Sequence, residues 1–244
     1  MSFPVLSVPT FELTVPSTKK PIRCRPFLVK EEKVLLMALE AGDERQSVEV
    51  VKQILTNCIV DLKEHSIEEL ALFDLEYIFL KVRSKSKGEV VRLKFSGIEK
   101  SECEECKKPK QIAINLNDIE VKFNPDVTPN IEITNEVGVI MKYPRYSLVE
   151  KLNKDKSEEN VELIFKLIRM CIESVYDKDM VYPAADITDE EYEKFIDSLT
   201  PEQFEKMSAF ILNMPQIECE VDLSCSKCGR KDVQTIKGLQ SFFQ

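Results

Sequence analysis

The chain has 244 residues and a formal net charge of −9, and its single histidine is His65. A net negative charge disfavours non-specific binding to nucleic acid or to anionic lipid. One histidine also excludes a metal site built from several histidines, whereas 43% apolar residues are enough for a buried core.

The first 29 residues are rich in proline, and their apolar positions alternate with polar ones. This pattern is typical of extended chain and predicts an N-terminal arm over residues 1–29 with short strands. The arm either joins the main body as a strand or packs on a partner subunit. No basic leader precedes an apolar stretch, so we expect no signal peptide.

Residues 30–84 show helical periodicity. Two amphipathic helices are expected there, one ending at Gly42 and one over about Ser47–Leu62. Ser66 and Glu69 have the spacing of a capping box, which predicts the start of a third helix. That helix is apolar on nearly all sides, so it lies in the centre of the core or covers its second face with another protein.

Alternating apolar positions return in residues 85–143 and again in residues 214–244, which predicts antiparallel strands in both segments. The residues between them, 145–212, are predicted to be an inserted helical region. Residues 147–206 hold 16 acidic and 8 basic side chains, so this insertion is acidic.

Three helices are expected within the acidic insertion. One spans about Val161–Tyr176, where apolar residues recur at helical spacing. Thr188 with Glu191 has the spacing of a capping box, and Thr200 followed by Pro201 is typical of a helix start.

Two CxxC pairs are the most specific motif in the chain. Cys103 and Cys106 form the sequence CEEC, and Cys225 and Cys228 form CSKC. A CxxC turn places two thiolates on one side of a tight loop, at the separation that a tetrahedral zinc ion requires. We therefore predict one structural zinc site with four thiolate ligands and a split zinc ribbon that joins the two β segments.

Other interpretations of the two pairs stay open at the level of sequence. The thiols can be ordinary loop residues without metal, or each pair can belong to a separate site completed by another chain. A redox pair is disfavoured because two acidic residues separate the cysteines of CEEC, and a catalytic zinc would usually have a histidine or carboxylate ligand. We expect the remaining cysteines to be packing residues, namely Cys24, Cys58, Cys171 and Cys219.

Motifs for other chemistry are missing from the sequence. It contains no GxxxxGK[ST], GxGxxG or GxSxG motif, and His65 fits a solvent-exposed or capping position. Residues 79–124 carry 11 basic and 7 acidic side chains, so a zinc ribbon with a basic face would be compatible with nucleic-acid binding. Aromatic residues are not interleaved with these basic residues as in single-strand binders.

Several segments of the chain carry a resemblance to a known family, namely Phe73–Glu89, INLNDIEVKF, NIEITNEVGVIMKYP and the C-terminal segments SLTPEQFEKM, NMPQIECEVDLSCSKCG and GLQSFF. These segments resemble baseplate hub and hub-assembly proteins of T-even-type contractile-tailed bacteriophages. The resemblance implies that the C-terminal cysteine pair, Cys225 and Cys228, is shared with the family.

This resemblance implies a non-enzymatic protein that acts in assembly of the baseplate hub, as a structural subunit or an assembly chaperone. Its partners would be other hub or tape-measure proteins, without a membrane or a small-molecule substrate. It would act in the host cytoplasm during assembly and, if it is a structural subunit, stay in the tail baseplate of the virion. The apolar C-terminal residues Leu239, Phe242 and Phe243 either dock into a partner or pack on the zinc ribbon.

Two other functions stay open as alternatives. A zinc-ribbon regulator that binds nucleic acid would show an affinity that falls steeply with salt. A metal-dependent hydrolase would need an open coordination position and a pocket with acid and base groups.

Overall fold

The computed structural model describes residues 6–41, 44–61, 66–98, 101–145 and 160–239. The chain divides into two units. Met1–Lys122 together with Gln216–Gln244 form the first, which we call the cysteine unit because it contains both CxxC pairs. Phe123–Pro215 form the second, which we call the acidic unit.

The cysteine unit begins with a hairpin in which β1 (Phe11–Thr14) pairs antiparallel with β2 (Pro21–Cys24). Val15 and Ile22 are fully buried. Cys24 is also buried and forms an isolated bridge with Ile59. This part of the N-terminal segment therefore supplies core residues to the cysteine unit.

Three helices follow in this unit: α1 (Val29–Ala41), α2 (Glu44–Cys58) and α3 (Leu72–Lys87). A short 3-10 turn, Ile67–Glu69, precedes α3. The third helix is buried on nearly all sides because it carries apolar residues around its circumference. It lies at the centre of the core, which is one of the two positions that its pattern allows.

Two charged residues of α3 are buried with it, and both are hydrogen-bonded. The carboxylate of Asp74 accepts hydrogen bonds from the backbone N–H groups of Ser17 at 2.9 Å and Ala71 at 3.2 Å. The Lys81 ammonium donates at 2.7–3.1 Å to three backbone carbonyl oxygens, those of Leu116, Asn117 and Ile119. These bonds compensate the loss of water around the buried charges and tie α3 to the chain on both sides of it.

The strands of the cysteine unit form two small antiparallel sheets besides the hairpin. β3 (Val90–Phe95) pairs with β4 (Lys110–Asn115), and the one-turn helix α4 (Glu104–Lys107) lies between them in sequence. The second sheet has the order β11 (Val233–Lys237), β10 (Gln216–Asp222), β5 (Glu120–Lys122). Lys122 is paired with Gln216, so the chain leaves and re-enters this unit on adjacent strands.

The acidic unit is built on one antiparallel sheet. Its strands follow in chain order: β6 (Asn130–Glu132), β7 (Gly138–Met141), β8 (Ile172–Tyr176) and β9 (Val181–Pro183). Three helices accompany it in the part of this unit that the structure describes: α5 (Asn160–Cys171), α6 (Asp189–Asp197) and α7 (Pro201–Leu212). They enclose a core that includes Val139, Met141, Ile168, Cys171, Met207 and Phe210.

The two units differ in charge. The cysteine unit has 24 basic and 24 acidic residues, whereas the acidic unit has 10 and 19. The whole net charge of −9 therefore resides in Phe123–Pro215.

The helix expected over Val161–Tyr176 ends at Cys171 and continues as β8, which corrects that prediction. Val175 pairs with Val139 of β7, and Ser174 is buried. The apolar residues of this stretch are compatible with a helix and with a strand, and pairing with β7 favours the strand. With β9, the described residues of the region 145–212 therefore include two strands besides the helices.

The capping box expected at Ser66 is also wrong. Ser66 precedes only the 3-10 turn, and its hydroxyl donates to Glu68 rather than capping a helix. In α3 the carboxylate of Asp74 instead accepts from the backbone N–H of Ala71, the residue before the helix.

The capping box expected at Thr188 with Glu191 is present. The helix start expected at Thr200 is also present, with Pro201 at the first helical position and a capping box formed by Thr200 with Gln203. The mixed α/β content and the antiparallel sheets agree with the expected fold class. Among the described residues, no helix has both the length and the apolar content needed to cross a membrane.

Candidate metal centre

The first CxxC pair lies in the connection between β3 and β4, and we call Cys103–Cys106 the first knuckle. Cys103 precedes α4, and its carbonyl oxygen accepts a hydrogen bond from the N–H of Cys106 at 3.0 Å. Ile98, at the end of the incoming chain, donates its N–H to the carbonyl of Cys106 at 2.8 Å. This turn holds both side chains on one side of the loop.

The second pair lies between β10 and β11, and we call Cys225–Cys228 the second knuckle. The N–H of Cys225 donates to the carbonyl of Arg230 at 2.8 Å, and the N–H of Gly229 donates to the carbonyl of Cys225 at 3.0 Å. Gly229 has φ +72°, a left-handed conformation that a residue with a Cβ adopts only at a cost. The glycine that follows CSKC thus closes the turn.

The four sulfur atoms of the two knuckles converge. The Sγ atoms of Cys103 and Cys225 are 4.0 Å apart, those of Cys106 and Cys228 are 3.6 Å apart, and all four lie within 4.8 Å of one another. Zinc–sulfur bonds of about 2.3 Å in a tetrahedron place their sulfurs about 3.8 Å apart. A disulfide would need about 2.05 Å, and all four cysteines are free thiols. The cluster could therefore hold a metal ion.

Backbone N–H groups favour the thiolate form at one position of the cluster. Those of Cys228 and Lys227 donate to the Cys225 sulfur and lower the pKa of this thiol to about 6. Cys106 donates to the same sulfur, and this hydrogen bond helps to raise its own pKa to about 12. Thiols that are hydrogen-bonded to one another in this way lose their protons most readily when a metal cation takes the place of the protons.

Charged side chains connect the two knuckles around the sulfurs. Lys227 of the second knuckle lies 3.1 Å from the Glu105 carboxylate of the first, and Lys108 lies 3.4 Å from the same group. Lys110 of β4 donates its ammonium to the carbonyls of Leu223 and Ser224 ahead of the second knuckle. These lysines supply positive charge close to a site whose four thiolates and divalent cation would sum to −2.

The sequence analysis did not identify Gly97, which the first knuckle requires. A Cβ built on Gly97 would lie 1.8 Å from the backbone carbonyl oxygen of Lys107, far inside contact distance. The chain thus passes this turn at a point where only glycine fits. A single glycine without a turn motif gave no signal in the sequence.

The other cysteines lie apart from the cluster. Cys24, Cys58 and Cys171 are fully buried, and burial raises their pKa values to about 12, 11 and 12, as expected for unreactive core thiols. Cys219 lies in β10 and is not part of the four-sulfur group. His65, Phe242 and Phe243 lie outside the described residues.

Comparisons with known proteins agree with one another. Residues 8–244 match the family described as T4 bacteriophage base plate protein. The chain is similar to the baseplate hub assembly protein gp26 of Enterobacteria phage T4, with 25% identity over 226 residues that cover 92% of this chain and 93% of that protein. No solved structure matches the chain. The resemblance drawn from Phe73–Glu89 and the later segments is therefore confirmed.

Proposed function

The chain belongs to the T4 bacteriophage base plate protein family, and on this premise we propose that it acts in assembly of the baseplate hub. Its role is non-enzymatic and proceeds through contacts with other proteins of the hub. It acts as a structural subunit or as an assembly chaperone, in the host cytoplasm while tails are built. Association with the tail baseplate follows from the subunit role.

One observation carries this proposal. The similarity to a baseplate hub assembly protein extends over 92% of this chain and 93% of that relative, so both units are covered. A likeness confined to the cysteine knuckles would have indicated only a shared metal module. A match that covers both units favours a shared role of the whole chain.

We further propose that the cysteine cluster holds one structural Zn²⁺ through Cys103, Cys106, Cys225 and Cys228, in a split zinc ribbon. Four thiolates without a histidine or carboxylate suit structural zinc, which keeps no open position for a substrate. The ion would tie the β3–β4 loop to the β10–β11 loop across 118 intervening residues. Closing so long a loop costs a few kcal/mol of chain entropy, because the cost grows only logarithmically with length.

Metal analysis of the purified full-length chain tests the zinc proposal. We expect elemental mass spectrometry to find about one zinc ion per chain in the wild type and no zinc in Cys103→Ser. Cys219→Ser is the matched control because this thiol lies in the same unit outside the cluster, and it should retain the metal. A folded wild-type chain without bound metal would contradict the proposal.

Infection with a phage that carries a nonsense mutation in the gene for this chain tests the assembly role. We expect tails to be missing and hub proteins to accumulate outside finished baseplates, as seen by electron microscopy and sedimentation. Normal baseplates in such an infection would contradict the proposal.

Purified virions then separate the two forms of the role. Peptides of the chain in the virion, counted by quantitative mass spectrometry, identify a structural subunit, whereas their absence identifies a chaperone that leaves. Affinity capture of the tagged chain from infected cells should recover hub or tape-measure proteins, and recovery of nucleic acid alone would contradict the proposal.

A further inference from the structure

The acidic unit contains a groove of about 690 Å³ that lies outside the metal centre. Its lining comes from β8, from β9 and the chain after it, and from α6, and it includes Ile172, Val175, Val181, Tyr182, Tyr192 and Phe195. A concave surface with this many apolar and aromatic side chains is typical of a binding site.

Apolar side chains at one side of the groove are open to solvent. Met180, Val181 and Tyr182 are consecutive residues, and 60%, 59% and 40% of their surfaces are exposed. Consecutive exposed apolar residues on a strand are avoided in soluble proteins unless the strand meets a partner. The groove and this strand therefore form one surface, which we call the β9 surface (residues 180–187 with Tyr192 and Phe195).

The strand β9 lies at the edge of its sheet, so one side of its backbone is unpaired within the sheet. The N–H of Asp177 donates to the carbonyl of Met180, and the N–H of Ala184 donates to the carbonyl of Glu173. These bonds determine which residue pairs of the β8–β9 hairpin are hydrogen-bonded and which are not. Val181 and Tyr176 form a pair that is not hydrogen-bonded, so the N–H and C=O of Val181 point away from β8. Pro183 has no N–H to donate, which limits pairing with an added strand to a short stretch around Val181.

Acidic residues surround the β9 surface. Residues 177–193 contain seven acidic side chains and one basic one. Asp179, Asp186 and Glu190 are exposed, and within the described part of the chain no lysine or arginine forms an ion pair with them. The rim is therefore negative, and these three carboxylates of it are not ion-paired to any described residue.

The nearby cations neutralise only part of this rim. Arg169 is paired with Asp189 at 2.6 Å and lies over the Tyr192 ring, with its guanidinium carbon 4.2 Å from the ring centre. Lys178 is paired with Glu136. Lys142 also lines the groove, but it is one charge against the acidic residues of the rim.

We propose that the β9 surface binds an extended segment of another protein, with one or two apolar side chains flanked on both sides by lysine or arginine. The apolar residues would fill the groove, the backbone would pair with Val181, and the basic residues would meet the acidic rim. A second copy of this chain is disfavoured because two acidic units with a net charge of −9 each would repel one another. Only one part of this inference rests on the proposed assembly function, namely that the bound segment belongs to another hub protein.

Fluorescence anisotropy with the full-length chain tests the chemistry of the partner. The probes are three labelled peptides, namely Lys-Lys-Val-Leu-Val-Lys-Lys, Glu-Glu-Val-Leu-Val-Glu-Glu and Lys-Lys-Ser-Gly-Ser-Lys-Lys. We expect the first to bind at least tenfold more tightly than either of the others, and its affinity to fall with added salt. Equal affinity for all three, or no binding of the first, would overturn the proposal.

Substitutions locate the binding. Val181→Asp should weaken binding of the first peptide at least tenfold, whereas Val233→Asp should change it less than twofold. Val233 is a matched control because it also lies on a strand and is 60% exposed, but in the cysteine unit. An unchanged affinity in Val181→Asp, with the circular dichroism of the folded chain retained, would overturn the proposal.

Reversal of the rim charges isolates the electrostatic contribution to peptide binding. The double variant Asp179→Lys, Asp186→Lys should bind the basic peptide at least tenfold more weakly and the acidic peptide more tightly. Asp126→Lys, also exposed in the acidic unit, should leave both affinities within twofold. A double variant that binds like wild type would overturn the role of the rim.

Crosslinking in infected cells identifies the source of the segment. A photoreactive phenylalanine analogue in place of Tyr182 should crosslink to a basic, apolar segment of a hub protein. A crosslink to a second copy of this chain would overturn the proposal. Peptide binding requires no baseplate, so a chain that binds the basic peptide but is dispensable for hub assembly would contradict only the proposed function.

Discussion

The two units of this chain achieve a stable fold by different means. The acidic unit is contiguous in sequence, and helices pack on its four-stranded sheet around a core with fully buried residues such as Val139 and Met207. The cysteine unit draws on two segments separated by 93 residues, Phe123–Pro215, and its small sheets have only two or three strands. The cysteine unit has its own apolar core around α3, and the four sulfurs meet in the loops between the strands of these small sheets.

This contrast indicates where each unit is vulnerable. Small sheets seldom bury enough apolar surface to be stable alone, so a metal ion at the loops would add to the stability that the core around α3 gives this unit. The acidic unit depends on side-chain packing, and its excess of negative charge opposes compaction. Changes at the sulfurs should therefore affect the cysteine unit, and changes in the core of the acidic unit should affect the acidic unit.

The largest expected effect comes from removing one sulfur. Cys106→Ser should lower the unfolding midpoint of the cysteine unit by ~10 °C or more, because structural zinc contributes much of the stability of small metal-bound modules. Calorimetry measures the midpoint, and hydrogen exchange with mass spectrometry should show lost protection in β10 but not in β7.

Cys219→Ser is the control for this change and should unfold like wild type. The metal should also leave as the pH falls, since protons compete with it for thiolates. Equal midpoints for Cys106→Ser and wild type would remove the distinction between the two units.

A cavity in the acidic unit should give the next largest effect. Phe210 is 1% exposed and stacks on Tyr143 with ring centres 5.3 Å apart. Phe210→Ala should therefore lower the free energy of unfolding of the acidic unit by about 3–5 kcal/mol in urea titrations. Leu212→Ala on the same helix should change it by less than ~0.5 kcal/mol, because Leu212 is 79% exposed. A similar loss in both variants would argue against the core described for this unit.

A smaller effect is expected at Gly97, back in the cysteine unit. In Gly97→Ala the new methyl group would meet the Lys107 carbonyl and force the first knuckle to shift, at about 2–3 kcal/mol of unfolding free energy. Gly229→Ala adds a methyl group into open space and should cost about 1 kcal/mol, from its left-handed backbone alone. Urea titrations of the purified proteins compare the two, and a reversed order would contradict the close approach at Gly97.

The smallest effect concerns the start of α6. The Thr188 side chain and backbone N–H donate to the Glu191 carboxylate and lower its pKa. Thr188→Ala should cost the acidic unit about 1 kcal/mol at neutral pH. Because the folded pKa of Glu191 is lowered, its contribution is present above the ordinary value of about 4.3 and is lost as the pH falls through the folded value.

Stability measured from pH 7 to pH 3 checks this sign. The difference between Thr188→Ala and wild type should shrink on acidification. Thr128→Ala is the control, since that hydroxyl donates to a backbone carbonyl and should give a difference independent of pH. A Thr188→Ala difference that grows on acidification would contradict the assignment.

Local patterns were enough to predict part of this structure. The strands on either side of both CxxC pairs, the two helix starts at Thr188 and Thr200 and the buried helix α3 follow from alternation, capping residues and helical spacing. The convergence of the sulfurs was predicted from the spacing of CEEC and CSKC, since that spacing has a specific chemical use.

What the sequence did not predict depends on contacts between distant residues. The switch from α5 to β8 requires pairing with β7, and the ion pair of Lys227 with Glu105 joins residues 122 positions apart. The buried Lys81 looks like a surface lysine until three carbonyls of the segment after β4 surround it. The β9 surface likewise arises only when the hairpin and α6 are folded together.

The pairing of Lys122 with Gln216 has a consequence for dissecting the chain. These residues face each other on neighbouring antiparallel strands, so a two-residue turn can join them as it joins the strands of a hairpin. Phe123–Pro215 can accordingly be excised as a cassette and replaced by such a turn, or exchanged for the equivalent segment of a relative. A phage that carries such a chimaera would show which half of the molecule determines its compatibility with a given tail.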